Sequence, residues 1–304
     1  MCKKAAKKRV SNLRWHLVLI LSAFSFCPSS FATITPNNLG ASKTIKYQHL
    51  DALSLSHQQK IKEWISFGIT ANELVLGEPF QSNYQFDLKP RYFSTEPVPW
   101  ARIVRGTPDT VELHFNRYAS LVSLKNDWTL YHELSHLYHP LFDYSDFWLA
   151  EGLATYLQNI VMFQNNLINR DEFYTRIKAG LSRGKVNTKI NSGRLSDISE
   201  NMWQLKAHQR VYWTGVAFFI EAEHALKANN KQSLVALIKQ YQHCSAINAK
   251  AHSSNARDFL RELDKLSRSA LFTSLYRRYR DREDFPVITD SQIKSLIAPS
   301  TFKF

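Results

Sequence analysis

The segment TLYHELSHLYHP, residues 129–140, restricts the fold of this chain more than any other stretch. His132 and His136 are four residues apart, so on a helix their imidazoles lie on one face, a turn apart. Glu133 follows the first histidine, and Pro140 ends any helix that contains the three side chains. Two imidazoles on one face can hold a single small cation, which predicts a helix packed around a metal site.

A third ligand is needed for such a site, and the sequence offers two arrangements. In the first, a histidine stands six residues after His136, but Phe142 occupies that position. His139 lies a turn beyond the pair, and we interpret it as a helix-end residue rather than a ligand. In the second, Glu151 lies near the start of an amphipathic segment, FWLAEGLATYLQ, after the short connection PLFDYSD. A connection this short predicts antiparallel neighbouring helices, with Glu151 opposite the two histidines.

This donor set predicts one Zn²⁺ per chain. Neutral imidazole and carboxylate are usual zinc ligands in catalytic sites, and His132, His136 and Glu151 leave a fourth position open for water. Each ligand histidine should donate its second ring N–H to a neighbouring acceptor. The candidate acceptors in the sequence are Thr155, Asp143 and Asp146.

These motifs resemble the gluzincin zinc metallopeptidases, and are nearest to the aminopeptidase-N-like and glycyl-aminopeptidase-like branches. The two histidines, Glu133 and WLAEGLATY carry the resemblance over residues 129–158, and VYWTGVAFFIEAE continues it over residues 211–223. In the family a tyrosine three residues before a glycine heads a helix, which corresponds here to Tyr212 and Gly215. The resemblance implies an α+β, thermolysin-like catalytic domain, with a small N-terminal mixed sheet followed by a mainly helical part that carries the zinc helices.

The resemblance also implies a function, the hydrolysis of peptide bonds in a peptide or protein substrate. Zinc lowers the pKa of a bound water towards neutrality, Glu133 acts as the general base, and Tyr212 stabilises the charge on the oxyanion. The family's Gly-x-Met-Glu-Asn signature is absent from the sequence. Glu112, on a predicted strand, is a candidate for binding a substrate amine, although a surface glutamate is the simpler interpretation. The choice between aminopeptidase and endopeptidase stays open.

Two other classes of protein fit parts of the sequence. One is a non-catalytic zinc-binding protein on a peptidase scaffold, and the presence of both Glu133 and Tyr212 argues against it. The other is an envelope interaction protein in which the histidine motif is accidental, and the paired WLAEG segment argues against that. We therefore favour the peptidase.

The remaining pattern separates a strand-rich part from a helical part. Residues 55–77 have helical spacing, and the strand-like runs NYQFDLKPRYF, PWARIVRG and DTVELHFN come next in the chain. Pro90 either breaks the first run or lies at a sheet edge. In the last run, Val111, Leu113 and Phe115 alternate with polar residues and predict one buried face.

After residue 120 the apolar spacing is helical to the end of the chain. The polar stretch 183–205 is the exception and predicts a long loop. We predict a single domain over residues 33–304, with a helix and strands at about 55–118 and the helical part at about 122–304.

The first 32 residues have the pattern of a signal peptide. A basic, acid-free start precedes the apolar run WHLVLILSAFSF, and small residues precede the predicted cleavage after Ala32. This largely apolar run of twelve residues is too short to span a bilayer, and no spanning segment is predicted in the mature chain. We expect export to the periplasm or the medium.

Cleavage removes six of the 39 Lys and Arg residues and none of the acids, so the formal net charge falls from +13 to +7. This balance favours association with an anionic envelope surface. No long basic block accompanies the charge, so nucleic acid is not expected as a partner.

Overall fold

A computed structural model describes residues 44–81, 83–229, 232–247 and 255–297 of the 304-residue chain. The predicted signal peptide, residues 1–32, lies outside these ranges and stays a prediction. None of the described helices combines the length and the hydrophobicity that a bilayer span needs.

Four strands form one mixed sheet: β1 (Ile45–Gln48), β2 (Tyr84–Arg91), β3 (Trp100–Val104) and β4 (Thr110–Asn116). Their spatial order is β1-β2-β4-β3. β2 is parallel to β1 and to β4, whereas β3 is antiparallel to β4 and forms one edge. The three strand-like runs of the sequence are therefore strands, and β1 is one that the pattern did not reveal.

The side chains of β4 alternate as predicted. Val111, Leu113 and Phe115 are buried in the core, and the polar side chains of β4 point to the other face. Pro90 lies near the end of β2, beyond the part that pairs with the four-residue β1. It therefore needs no N–H on that side, which is why a proline is tolerated in an interior strand.

Helices make up most of the rest of the described chain. In chain order they are α1 (Leu55–Leu76), α2 (Leu121–Asn126), α3 (Thr129–Ser135), α4 (Phe147–Gln164), α5 (Arg170–Ile190), α6 (Leu195–Glu200), α7 (Met202–Leu205), α8 (His208–Asn229), α9 (Leu234–Ile247), α10 (Ala256–Ser267), α11 (Leu271–Arg280) and α12 (Asp290–Leu296). A helix and a small mixed sheet thus precede a mainly helical part, and the predicted α+β class is confirmed.

The predicted loop at residues 183–205 is wrong. α5 extends to Ile190, and α6 and α7 occupy much of the remaining stretch. The buried positions in the second half of α5 include Gly180, Gly184 and Thr188, which give little apolar signal. The helical pattern is hidden because this part of α5 packs through small side chains.

α4 and α8 cross with their backbones in contact. A Cβ added to Gly152 would overlap the backbone of Gly215, and one added to Gly215 would overlap the carbonyl oxygen of Trp148. Glycine is therefore required at both positions by close approach rather than by a turn. The crossing fixes the start of α4 against the first turns of α8, while α3 packs against α4, α1 and β3.

Candidate metal centre

The structure brings His132, His136 and Glu151 together in the core. One ligand atom from each lies within 4.8 Å of the others, and all three side chains are buried. Glu151 Oε2 is 3.1 Å from Nε2 of His132, and its Oε1 is 3.6 Å from Nε2 of His136. The two histidines come from α3 and the turn immediately after it, and the glutamate comes from the second turn of α4.

The chemistry of this donor set fits a divalent cation. Both Nε2 atoms and both carboxylate oxygens converge on one point, and within the described residues no lysine or arginine forms an ion pair with Glu151. A buried carboxylate without a cation is costly. Two imidazoles and one carboxylate match the ligands that zinc takes in sites with an open fourth position. His132, His136 and Glu151 are thus suited to hold the ion.

The second ring nitrogens of the histidines have partners that were not among the predicted acceptors. Nδ1 of His132 is 3.3 Å from Oε1 of Gln158, and Nδ1 of His136 is 3.0 Å from Nε2 of His139. Gln158 is seven residues after Glu151, two helical turns along the same face, and this spacing was the available signal.

The three candidate acceptors have other environments. Thr155 Oγ1 is buried and has no hydrogen-bond partner among the described residues. Asp143 is exposed. Asp146 accepts the hydroxyl of Tyr276, at 2.9 and 3.1 Å. In the described structure none of the three accepts a hydrogen bond from a ligand histidine, so these predictions were wrong.

Burial governs the protonation of the cluster. It raises the pKa of Glu133 to about 7, against an opposing effect of His132. It lowers the pKa of His136 well below the usual value, and the neighbouring His132 acts in the same direction. For His132, burial lowers the pKa, but the Glu151 carboxylate outweighs it and the pKa is raised. A group that titrates near neutrality is suited to accept and return a proton.

Tyr212 lies in the first turns of α8, beside the cluster. Its ring stacks on that of His132, with centroids 5.9 Å apart and an interplanar angle of 10°. Burial, and next the Glu151 carboxylate, raise the pKa of Tyr212 well above its usual value. The phenol therefore stays neutral near pH 7 and can donate a hydrogen bond beside the cluster.

A cleft of about 810 Å³ opens onto the cluster. Its floor includes His132, Glu133, His136 and Glu151, with Tyr212 beside them. One wall is the edge strand β3 and the residues just after it, and the other comes from the segment before α4 and from α6 and α7.

Glu112 does not line this cleft. It lies on β4, where Nε and Nη2 of Arg102 donate to its Oε2 at 3.0 and 2.9 Å. Nε2 of His114 is 2.7 Å from its other oxygen. Both carboxylate oxygens are therefore engaged on the sheet, and the substrate-amine role is not supported by this placement.

The chain also contains a Gly-x-Ser-x-Gly pattern, Gly180 to Gly184. In another class of hydrolase this pattern forms a sharp strand-to-helix turn that exposes a nucleophilic serine. Here it lies inside α5, and a Cβ at either glycine would overlap Trp213. The two glycines have a packing role.

The chain is similar to solved structures at low sequence identity. An aminopeptidase N family protein from Idiomarina loihiensis matches with a TM-score of 0.55 and 12% identity, over 78% of this chain and 44% of that one. A mutant M1 zinc metallopeptidase from Deinococcus radiodurans, bound to a Tyr-Ser-Ala substrate, matches with a TM-score of 0.46 and 16% identity, over 73% and 44%. This chain thus corresponds to less than half of each neighbour's length.

No protein-family model and no curated protein matches the sequence. At 12% identity, the similarity to the Idiomarina protein concerns the fold alone. That fold is metallopeptidase-like, and it holds a buried His-His-Glu group.

Proposed function

We propose that this protein is a zinc-dependent peptidase with Glu133 as its general base. The observation that carries the proposal is the floor of the cleft, where a potential metal-binding group and an additional buried glutamate lie side by side. A site that only stored zinc would need no buried carboxylate beside the three ligands.

Each of these residues of the cleft has its own role in the proposed reaction. Zinc held by His132, His136 and Glu151 would supply Lewis acidity, which polarises a carbonyl and makes water more acidic. Glu133 takes a proton from the attacking water and passes it to the leaving nitrogen. The Tyr212 hydroxyl donates a hydrogen bond to the oxygen that gains negative charge. The walls of the cleft shield these groups from bulk water and strengthen their interactions.

The substrate is proposed to be a peptide or protein, with export by residues 1–32 as part of the same proposal. The missing Gly-x-Met-Glu-Asn signature and the position of Glu112 leave no residue assigned to a substrate amine. Whether the enzyme trims N-termini or cuts internally is therefore a question for its products.

A peptide-library digest by the purified mature protein, combined with metal analysis, tests the proposal. We expect about one zinc per chain, and cleavage that stops when a chelator removes the metal and returns when zinc is restored. Mass spectra of the products separate stepwise loss of N-terminal residues from internal cuts. A zinc-loaded protein that cleaves no member of a broad library would contradict the proposal.

A further inference from the structure

His139 is held in an unusual position by the proline next to it. The backbone leaves the helical conformation at His139, with φ −144° and ψ 154°, because a residue before proline is kept out of the α region. The imidazole is buried and lies 5.1 Å from the ring of His136, and it stacks on Phe142 at the same centroid distance. Pro140 thus places this ring against a proposed zinc ligand.

The hydrogen bonds of His139 determine where its proton lies. Its Nδ1 is 2.8 Å from the carbonyl oxygen of Pro140, and a carbonyl oxygen can only accept, so Nδ1 carries the hydrogen. In a neutral imidazole the other nitrogen is then an acceptor. That nitrogen, Nε2, is 3.0 Å from Nδ1 of His136, which must therefore be the donor.

The same reasoning continues to the metal site. With its hydrogen on Nδ1, His136 has a free lone pair on Nε2, the atom that faces Glu151. A His139 that donated from Nε2 would reverse the arrangement and place the hydrogen of His136 on the ligand atom. We infer that His139 is a positioning residue that keeps the proton of His136 on Nδ1 and leaves Nε2 free to bind zinc.

His139 is not itself a ligand, because its Nε2 is engaged by Nδ1 of His136 and its Nδ1 by the carbonyl oxygen of Pro140. The inference rests on the zinc site proposed above and does not depend on peptide hydrolysis. Outer partners of this kind fix the orientation and the basicity of a ligand histidine, and their loss typically weakens metal binding about 10- to 100-fold.

The test measures the zinc affinity of the purified mature protein by competition with a chromophoric chelator. His139→Phe keeps a ring against Phe142 but removes the acceptor, and should weaken binding about 10- to 100-fold. His139→Gln restores an acceptor oxygen and should recover most of the affinity. His224→Phe is the control, since this histidine is exposed on α8 and does not line the cleft. An unchanged affinity in His139→Phe would overturn the inference.

A second measurement needs no substitution at all. In the zinc-loaded wild type, a long-range ¹H–¹⁵N spectrum should show His139 protonated on Nδ1 and unprotonated on Nε2. The opposite tautomer would contradict the inference even if His139→Phe failed to fold. A wild type that binds no zinc would instead contradict the proposed function, so the two failures are distinguishable.

Discussion

Two clusters in this molecule combine a glutamate with histidine, and they differ in what balances the carboxylate. On the sheet, Glu112 is paired with Arg102 and His114. Burial raises the pKa of Glu112, but the hydrogen bonds from His114 and Arg102 outweigh it and hold that pKa below the usual value. In the core, Glu151 faces two imidazoles, and no arginine or lysine of the described chain pairs with it.

The two clusters differ in which group balances the negative charge of the glutamate. The sheet cluster has its own cation, since the guanidinium of Arg102 supplies the positive charge. The core cluster has two carboxylates and two imidazoles buried together, without a guanidinium or ammonium group paired to Glu151 in the described chain, and a metal ion can balance its charge. The same residue types thus form an ion pair in one region and a potential metal centre in the other.

The largest expected effect is the loss of metal from the core cluster alone. His136→Ala removes one of three ligands, so we expect zinc content to fall from about one per chain to near zero. Glu112→Gln is the matched control in the sheet cluster and should keep its zinc. Elemental analysis measures the zinc content of both variants. Undiminished zinc in His136→Ala would show that the core cluster is not the metal site.

The next effect separates catalysis from metal binding within the core. Glu133→Gln is nearly isosteric and cannot accept a proton, so hydrolysis should fall at least about 100-fold while zinc content and thermal stability stay unchanged. The measurement is the initial rate on a peptide found in the library digest. A variant that retains most of the wild-type rate would show that Glu133 is not the base.

Tyr212→Phe should reduce kcat about 100-fold, or about 3 kcal/mol in the barrier. The hydroxyl is proposed to bind the oxyanion only as it forms, so KM and zinc content should change little. Phenylalanine keeps the ring that stacks on His132. A wild-type kcat in this variant would leave Tyr212 with a packing role only.

A smaller effect is expected at the second ring nitrogen of His132. Gln158→Met removes the acceptor near Nδ1 with little change in volume, and zinc affinity should fall about tenfold. Thr155→Val, on the same helix, removes a buried hydroxyl that has no partner in the described structure and should leave the affinity unchanged. Equal affinities in the two variants would argue against a role for Gln158.

The smallest effect concerns the ion pair on the sheet. Arg102 is largely exposed, so Glu112→Gln should cost no more than about 1 kcal/mol of unfolding free energy at neutral pH. Because the pKa of Glu112 is lowered by folding, this contribution is complete above the ordinary glutamate pKa of about 4.3 and is lost as the pH falls through the folded value. Chemical denaturation of both proteins at several pH values measures it, and a difference that grows towards low pH would contradict this account.

The sequence predicted the features that depend on local spacing. The four-residue interval of the histidines and the short connection to Glu151 are enough to place three side chains close together, and the alternation in β4 is enough to choose its buried face. The helix at residues 55–77 and the helical part after residue 120 were predicted from the helical spacing of apolar residues.

The remaining features depend on tertiary structure. The four residues of β1 form a strand because β2 offers a partner, and α5 packs through glycines that no apolar pattern marks. The sequence predicts a helix end at His139, and the backbone does leave the helix there. The contact of its ring with His136, however, depends on the backbone conformation at the turn, which the residue spacing in the sequence does not predict. Gln158 comes within hydrogen-bond distance of His132 only because of the way in which α3 and α4 are oriented against each other.

The backbone contact between Gly152 and Gly215 has a consequence for how this cleft tolerates change. Side chains adjust by changing rotamer, but two main chains in contact cannot. The contact therefore fixes the distance between α4, which carries Glu151, and α8, which carries Tyr212. Substitutions elsewhere in the core can then accumulate without moving the phenol away from the carboxylate. A related sequence that keeps all three ligands but carries a larger residue at either glycine would lack this contact. It should be expected to hold Glu151 and the Tyr212 phenol at a different spacing and to hydrolyse peptides poorly.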